Sequence, residues 1–204
     1  MFEVTSDSGW LEDATTLMEH LETSFGDSAN GGYFLSATHH EQLLLRDKSN
    51  YDGATPSPSS VAAMTWLRLY ALTDDDRYRQ RAETTVRAFA QTLARHPSAL
   101  GEMMLALDWS IDAAQELVIV VPEGRGVLAE SARPLLNVLQ QHFVPNMVLV
   151  VATESIIDSE LSKRIPWLHD KRMHNGQATA YLCERGTCQL PTSDPRQLAQ
   201  QLAM

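Results

Sequence analysis

Residues 46–72 read R-D-K-S-N-Y-D-G-A-T-P-S-P-S-S-V-A-A-M-T-W-L-R-L-Y-A-L, and the change of pattern inside this stretch decides the fold. Its first half is not helix. Asp52-Gly53 asks for a turn, and Pro56 and Pro58 each drive the preceding residue out of the α region. Its second half, from about Ser59 to Leu72, places Val61, Met64, Leu67, Leu69 and Leu72 on a broad apolar face, with Trp66 and Tyr70 adding aromatic bulk. A stiffened polar loop is therefore delivered onto a helix start, an arrangement that often carries function.

The same period extends outward from that helix. Upstream, Trp10, Leu11, Ala14, Leu17, Met18, Leu21 and Phe25 fall at three- and four-residue steps, which predicts a helix over 10–25 with Asp7 or Ser8 as its cap. Between the two helices, 33–35 and 43–45 read as the arms of a small hairpin around a polar tip, His39-His40-Glu41. Downstream, Asp74-Asp75-Asp76 caps a third helix that runs to about Arg95, and Pro97 opens a fourth that carries Leu100, Met103, Met104, Leu107 and Ile111. Short connections make these four helices antiparallel neighbours.

Near residue 113 the period changes. E-L-V-I-V-V-P, residues 116–122, is a β-branched run of the kind buried on both faces of a sheet. A loop at 123–126, a helix over 128–143 and a second strand over 147–152 complete a right-handed βαβ crossover. Residues 155–176 show no clean period. A hairpin over 178–190 and a short helix over 196–204 close the chain. The fold class is mainly α with a small α/β part: helical hairpins over 1–113, then a βαβ unit and a β-hairpin over 114–204.

The chain has 204 residues and a net charge of −10, concentrated in the first part: residues 1–113 hold eight Lys/Arg against seventeen Asp/Glu, and 114–204 hold eight against nine. No basic cluster suits nucleic acid or an anionic membrane. No run approaches the roughly 18 apolar residues of a membrane span. The first residues have neither the basic nor the apolar region of a signal peptide, so a cytoplasmic location is expected. No cofactor and no metal is expected.

The ordered series F-G-D-S-A-N-G-G-Y-F, L-L-L-R-D-K-S-N-Y-D-G-A-T-P-S, D-D-R-Y, A-L-D-W, E-L-V-I-V-V and A-Y-L-C-E-R-G-T-C-Q-L-P-T-S-D-P resembles the C-terminal third of the thioredoxin-domain-containing proteins of the YyaL and spermatogenesis-associated-protein-20 type. The resemblance implies helices of a six-hairpin (α/α)6 toroid similar to N-acylglucosamine 2-epimerases and other carbohydrate enzymes. This chain shows no thioredoxin-like stretch and no C-x-x-C. Where the family loop continues P-S-G-N-S, it reads Pro56-Ser57-Pro58-Ser59-Ser60. Four helices are part of a twelve-helix toroid, so a homodimer or a partner chain is expected to cover the open helical edge.

Toroids of this kind bind sugars in a central funnel, which implies roles for particular residues. Arg46, Tyr51 and Ser57 are expected to hold substrate hydroxyls, and Asp27, Asp52 and Glu102 to supply acid/base chemistry. Two carboxylates facing each other across a cleft suit such work. Each has a plainer reading. Asp52-Gly53 and Asp27 are turn formers, Ser57 or Ser59 is a helix cap, and Glu102 pairs with an arginine such as Arg68. Cys183 and Cys188 are either two reduced thiols or a reversible redox pair across a hairpin, the second requiring their Cα atoms within about 7 Å. With His169 and His174 their spacing matches no strong zinc signature. Gly124-Arg125-Gly126 lacks the further glycine and the Lys-Ser/Thr pair of a nucleotide loop. Two functions follow: a carbohydrate-handling epimerase- or isomerase-like protein, or a non-catalytic accessory module that docks through its open edge.

Overall fold

Pro58 opens the helix that the central loop delivers, and Ser57 caps it. In the computed structural model, which describes residues 1–40, 45–124 and 130–203 apart from the Glu160 side chain, the chain begins with α1 (Phe2–Thr5), α2 (Ser8–Phe25), α3 (Pro58–Thr73), α4 (Asp76–Ala88), α5 (Ala90–Arg95) and α6 (Gly101–Ile111). It continues with β1 (Gln115–Val121), α7 (Arg133–Gln140), β2 (Met147–Thr153), the short turns α8 (Glu154–Ile156) and α9 (Ser162–Arg164), β3 (Thr179–Glu184), β4 (Thr187–Cys188) and α10 (Pro195–Leu202). The described fold is mainly helical with a small mixed sheet. Glu41, Leu43, Leu44, Arg125, Gly126, Leu128 and Met204, which figure in the expected hairpin, tip, loop and helix ends, lie outside the described residues.

Two compact units form. One comprises Glu12–Tyr70 and Asp74–Asp112; the other comprises Met1–Leu11, Ala71–Thr73 and the chain from Ala113 onward. One boundary between the units falls between Asp112 and Ala113. The grouping of the first eleven residues with the C-terminal unit was not expected.

In the helical unit the caps are local. The Ser60 amide donates to Ser57 Oγ at 3.2 Å, and the Arg77 amide donates to Asp75 Oδ1 at 3.0 Å. Ala62, Ala63, Trp66, Leu67 and Leu69 of α3 are buried, as are Tyr78, Ala82 and Val86 of α4, and the rings of Trp66 and Tyr78 stack at 5.2 Å. Val61 is instead 46% exposed, off the expected apolar face. The third helix, expected to run unbroken to Arg95, breaks at Phe89, whose φ of −105° and ψ of 9° separate α4 from α5. No Pro or Gly marks that break, so the sequence carries no signal for it.

The first arm of the expected hairpin is not a strand. Tyr33 forms a single bridge with Gly26, Phe34 donates its amide to Phe25 O and Leu35 donates to Asp47 O, so the backbone of 33–35 is tied to the end of α2 and to a later loop.

The second unit is built on a sheet of order β2-β1-β3-β4. β1 runs parallel to β2 through the full register from Gln115↔Met147 to Val121↔Thr153, and antiparallel to β3. Leu117, Ile119, Val121, Val151, Ala180 and Leu182 pack with Leu135 and Val138 of α7 and Leu198 of α10 in one core. Val118 and Val120, on the alternate face, are fully buried too. Burial on both faces explains why β1 reads as an unbroken apolar run. On edge strand β2, Ser6 Oγ accepts from the Val151 amide at 3.0 Å and Glu3 Oε1 accepts from the Leu149 amide at 3.3 Å, so the N-terminal turn satisfies ladder donors. In the stretch without period, Ile157, Leu161, Ile165 and Leu168 are buried at steps of four, four and three, and the non-helical Ser159 interrupts the run.

Candidate functional site

The loop after α2 explains where a site lies. Asp27 Oδ1 accepts from the amides of Ala29 and Asn30, a turn that closes on Gly31 and Gly32 at φ 77° and 74°. Both glycines are required. A Cβ on Gly31 would stand 2.8 Å from Thr84 O, and one on Gly32 would stand 2.9 Å from the Phe89 ring. This close approach lays the loop along α4 and leaves a cleft of about 420 Å³, lined by Glu22, Asp27, Tyr33, Arg77, Gln80, Arg81, Thr84 and Thr85 among others.

The cleft has a buried polar wall. Trp66, fully buried, donates its indole N–H to the Tyr33 hydroxyl at 2.7 Å, and Tyr33 donates to Glu22 Oε2 at 2.7 Å. Burial first, and then the Glu22 carboxylate, push the Tyr33 phenol well above its ordinary range, so it stays protonated and keeps donating. Arg81 lies over the Trp66 ring at 4.7 Å and pairs with Glu19 at 2.8 Å, and that pair raises its pKa. Lys48, which is not among the cleft residues, places its Nζ 2.6 Å from Asp27 Oδ2 and from Gly31 O. The lysine, ahead of the turn amides, holds the Asp27 carboxyl far below the usual carboxylate range. Asn30 Nδ2 also donates to Asp27 Oδ2, so both Asp27 oxygens, like those of Asp52, are engaged by the protein's own donors; the carboxylate stays ionised and is unsuited to delivering a proton.

The other expected site residues stand elsewhere. Asp52 is not among the cleft residues. Its Oδ1 accepts from the Ser57 amide at 2.7 Å; its Oδ2 accepts from Ser60 Oγ at 3.0 Å and from the Glu102 and Met103 amides at 3.0 and 3.2 Å. One carboxylate thus ties the N-termini of α3 and α6. It does for α6 what the cap residue Leu100, which has no side-chain acceptor, does not. Burial raises the Asp52 pKa, but these donors outweigh it and the net shift is downward. The expected catalytic role for Asp52 gives way to this one, because its described oxygens are engaged by the protein's own donors. The pair Asp27–Asp52 is not brought together in the cleft. Ser57 is buried and caps α3 rather than holding a ligand. Arg46 donates to Ser36 O and Ser24 O and lies 4.1 Å over the Phe34 ring. Tyr51 is 62% exposed and its ring shields Gly53. Glu102 meets Asp52 through its backbone, and Arg68 lies over the Trp109 ring at 5.1 Å.

Of the expected set, Asp27 alone lines the cleft. Glu22, Tyr33 and Arg81 were missed. Arg77, Gln80, Arg81, Thr84 and Thr85 follow helical steps on α4, so a polar stripe is readable there, but nothing local says that it faces Glu22. Cys183 and Cys188 are joined as a disulfide, with Cα atoms 3.9 Å apart. Among the described residues no group of three or more His, Cys, Asp or Glu is placed to hold a metal, and no helix is long and apolar enough to cross a membrane.

No family model matches the chain. It is similar to spermatogenesis-associated protein 20 of Homo sapiens, 35% identical over 97% of this chain, and to that of Rattus norvegicus at 34% over the same share. An uncharacterized protein of Caenorhabditis elegans is 28% identical over 93% of the chain. The chain spans about a quarter of the length of each of these relatives. The likeness supports the expected placement with the spermatogenesis-associated-protein-20 family.

Proposed function

We propose that this relative of spermatogenesis-associated protein 20 binds a small carbohydrate in the cleft between α2 and α4, and that its helical unit is part of an (α/α)6 toroid of epimerase or isomerase kind. One observation carries the reading: a cleft of about 420 Å³ whose lining mixes apolar surface with hydrogen-bonding side chains, Glu22 as an acceptor and Arg77, Gln80, Arg81 and Thr84 as donors. That volume falls in the range of small-molecule sites, and the mixture suits a ligand whose every hydroxyl both donates and accepts. In this proposal Gln80, Arg81 and Thr84 hold hydroxyls. Glu22, one oxygen steadied by Tyr33, is the acid/base group in place of Asp52 and Glu102. The cytoplasmic location belongs to the same proposal.

The test is a ligand-observed NMR screen of free hexoses, N-acetylhexosamines and disaccharides at millimolar concentration. We expect at least one class to bind, and Glu22→Gln or Thr84→Val to weaken it while the unfolding midpoint holds. No binding by any class, or binding unchanged in both variants, overturns the proposal. Exchange of a carbon-bound hydrogen of the bound sugar with deuterated solvent separates catalysis from binding.

A second reading, an accessory module that docks a second copy or a partner chain through its helical edge, is favoured by Leu17, Leu105 and Ile111, which are 68%, 55% and 69% exposed. Sedimentation of a strict monomer at micromolar concentration removes the second copy from that reading.

A further inference from the structure

The hairpin of the α/β unit holds a second cluster with chemistry of its own. Cys183 on β3 and Cys188 on β4 are directly opposed in register and joined through sulfur. They differ sharply in access: Cys183 is 2% exposed, whereas Cys188 lies on the exposed edge strand. Lys171 reaches Cys188 Sγ with its Nζ at 3.0 Å. Its position is fixed by the neighbouring backbone, because the Tyr181 hydroxyl accepts from the Arg172 amide at 3.2 Å and donates to Arg172 O at 2.7 Å, and the Lys171 ammonium lies 5.0 Å from the Tyr181 ring centre. Burial lowers the Lys171 pKa, and the Glu116 and Asp170 carboxylates act against that by favouring the ammonium; Glu116 is the register partner of Cys183 on the other side. An exposed sulfur beside a fixed cation, with a buried partner sulfur behind it, is the environment in which a thiolate is stabilised. The sequence separation is five residues, so the link closes a short loop and constrains the unfolded chain little.

We propose that Cys183 and Cys188 form a thiol–disulfide exchange site for a dithiol partner, with Cys188 as the sulfur attacked and Lys171 as the cation that holds its thiolate. A thiolate of the dithiol attacks Cys188 Sγ. The bond between the two cysteine sulfurs breaks, its electron pair leaves on Cys183 Sγ, and Cys183 takes a proton. The mixed disulfide so formed is resolved by the second thiol of the dithiol, which attacks the dithiol's own linked sulfur; Cys188 leaves as a thiolate beside Lys171. Two electrons pass to the protein and the dithiol becomes a disulfide. Disulfides that persist in reducing compartments are commonly of this exchanging kind.

The test uses the full chain equilibrated against reduced and oxidised dithiothreitol, trapped with iodoacetamide and read by mass spectrometry, beside a circular-dichroism check of folding. We expect reduction of the folded protein. In Lys171→Met the balance shifts toward the disulfide by about tenfold at a pH above the thiolate pKa, and Lys171→Arg restores it. A Cys183→Ser variant, which leaves Cys188 as a free thiol, reads the cation directly. Its alkylation midpoint is expected below the ordinary thiol value of about 8.5, returning there when Lys171→Met is added. A disulfide that opens only on unfolding, or an alkylation midpoint that Lys171→Met leaves unchanged, overturns the proposal.

Discussion

Replacing Asp52 with alanine removes one acceptor group from two helix ends at once. The side chain accepts from the Ser57 amide and Ser60 Oγ at the start of α3, and from the Glu102 and Met103 amides at the start of α6. Ser57, Ser60 and Met103 are buried, so their donors are poorly placed to find water once the carboxylate is gone. Ser57 still caps α3 in the variant, so the loss there is the buried Ser57 amide left without its acceptor, about 1–3 kcal/mol. The lost cap of α6 adds about 0.5–2 kcal/mol, roughly 1.5–5 kcal/mol in sum. For a chain of this size that is a fall of roughly 3–20 °C in unfolding midpoint. Asp52→Asn keeps an acceptor for Ser57 but turns an amide toward the α6 donors, so it falls between wild type and alanine. The dependence on acidity has a fixed sign. The Asp52 pKa is lowered in the folded protein, so its contribution is complete above the unfolded carboxyl value near 3.9 and is lost as pH falls below it. Urea unfolding at pH 7 and pH 3 measures both effects. An Asp52→Ala stability within about 0.5 kcal/mol of wild type at pH 7, a change typical of an ordinary surface substitution, refutes this role for Asp52. Loss of sugar binding in Asp52→Ala with stability intact refutes it equally and returns Asp52 to the chemical role expected from the sequence.

Other substitutions probe the cleft. Gly31→Ala sets a Cβ at positive φ and 2.8 Å from a backbone oxygen, so a loss of about 1–3 kcal/mol is expected in thermal unfolding. Trp66→Phe removes the donor to the Tyr33 hydroxyl inside the core; about 1–3 kcal/mol of destabilisation is expected, measured by chemical denaturation. Lys48→Met takes away the largest cause of the low Asp27 pKa, so the Asp27 carboxyl, followed by NMR, titrates at higher pH. The stability that this group contributes above pH about 4, and loses as pH falls, shrinks with it.

Much of the fold was legible because burial writes a period into the chain. The stripe of α2, the Pro-to-apolar switch at α3 and the β-branched run of β1 each name their element without help from elsewhere. The break at Phe89 was not legible, since no Pro or Gly stands there to mark it. The apolar segment 33–35 reads as a strand, yet Phe34 and Leu35 spend their amides on Phe25 and Asp47, which local pattern does not record. The site was harder for the same reason. Asp27 announced itself as a polar loop residue. Glu22 and Arg81 look like ordinary charged positions on amphipathic helices until Tyr33 and Glu19 are placed beside them. Asp52, the most conspicuous carboxylate in the sequence, has its oxygens engaged by amides whose donors lie up to 51 residues away.

The fully buried indole of Trp66 is stacked on Tyr78, lies under the Arg81 guanidinium and is hydrogen-bonded to the phenol that steadies Glu22. Indole emission shifts with the field and polarity around the ring, so the protein carries a built-in optical probe one hydrogen bond behind its cleft wall. Occupancy that moves Arg81 or Glu22 changes the colour and intensity of that emission, and titrations can be followed on the unlabelled chain.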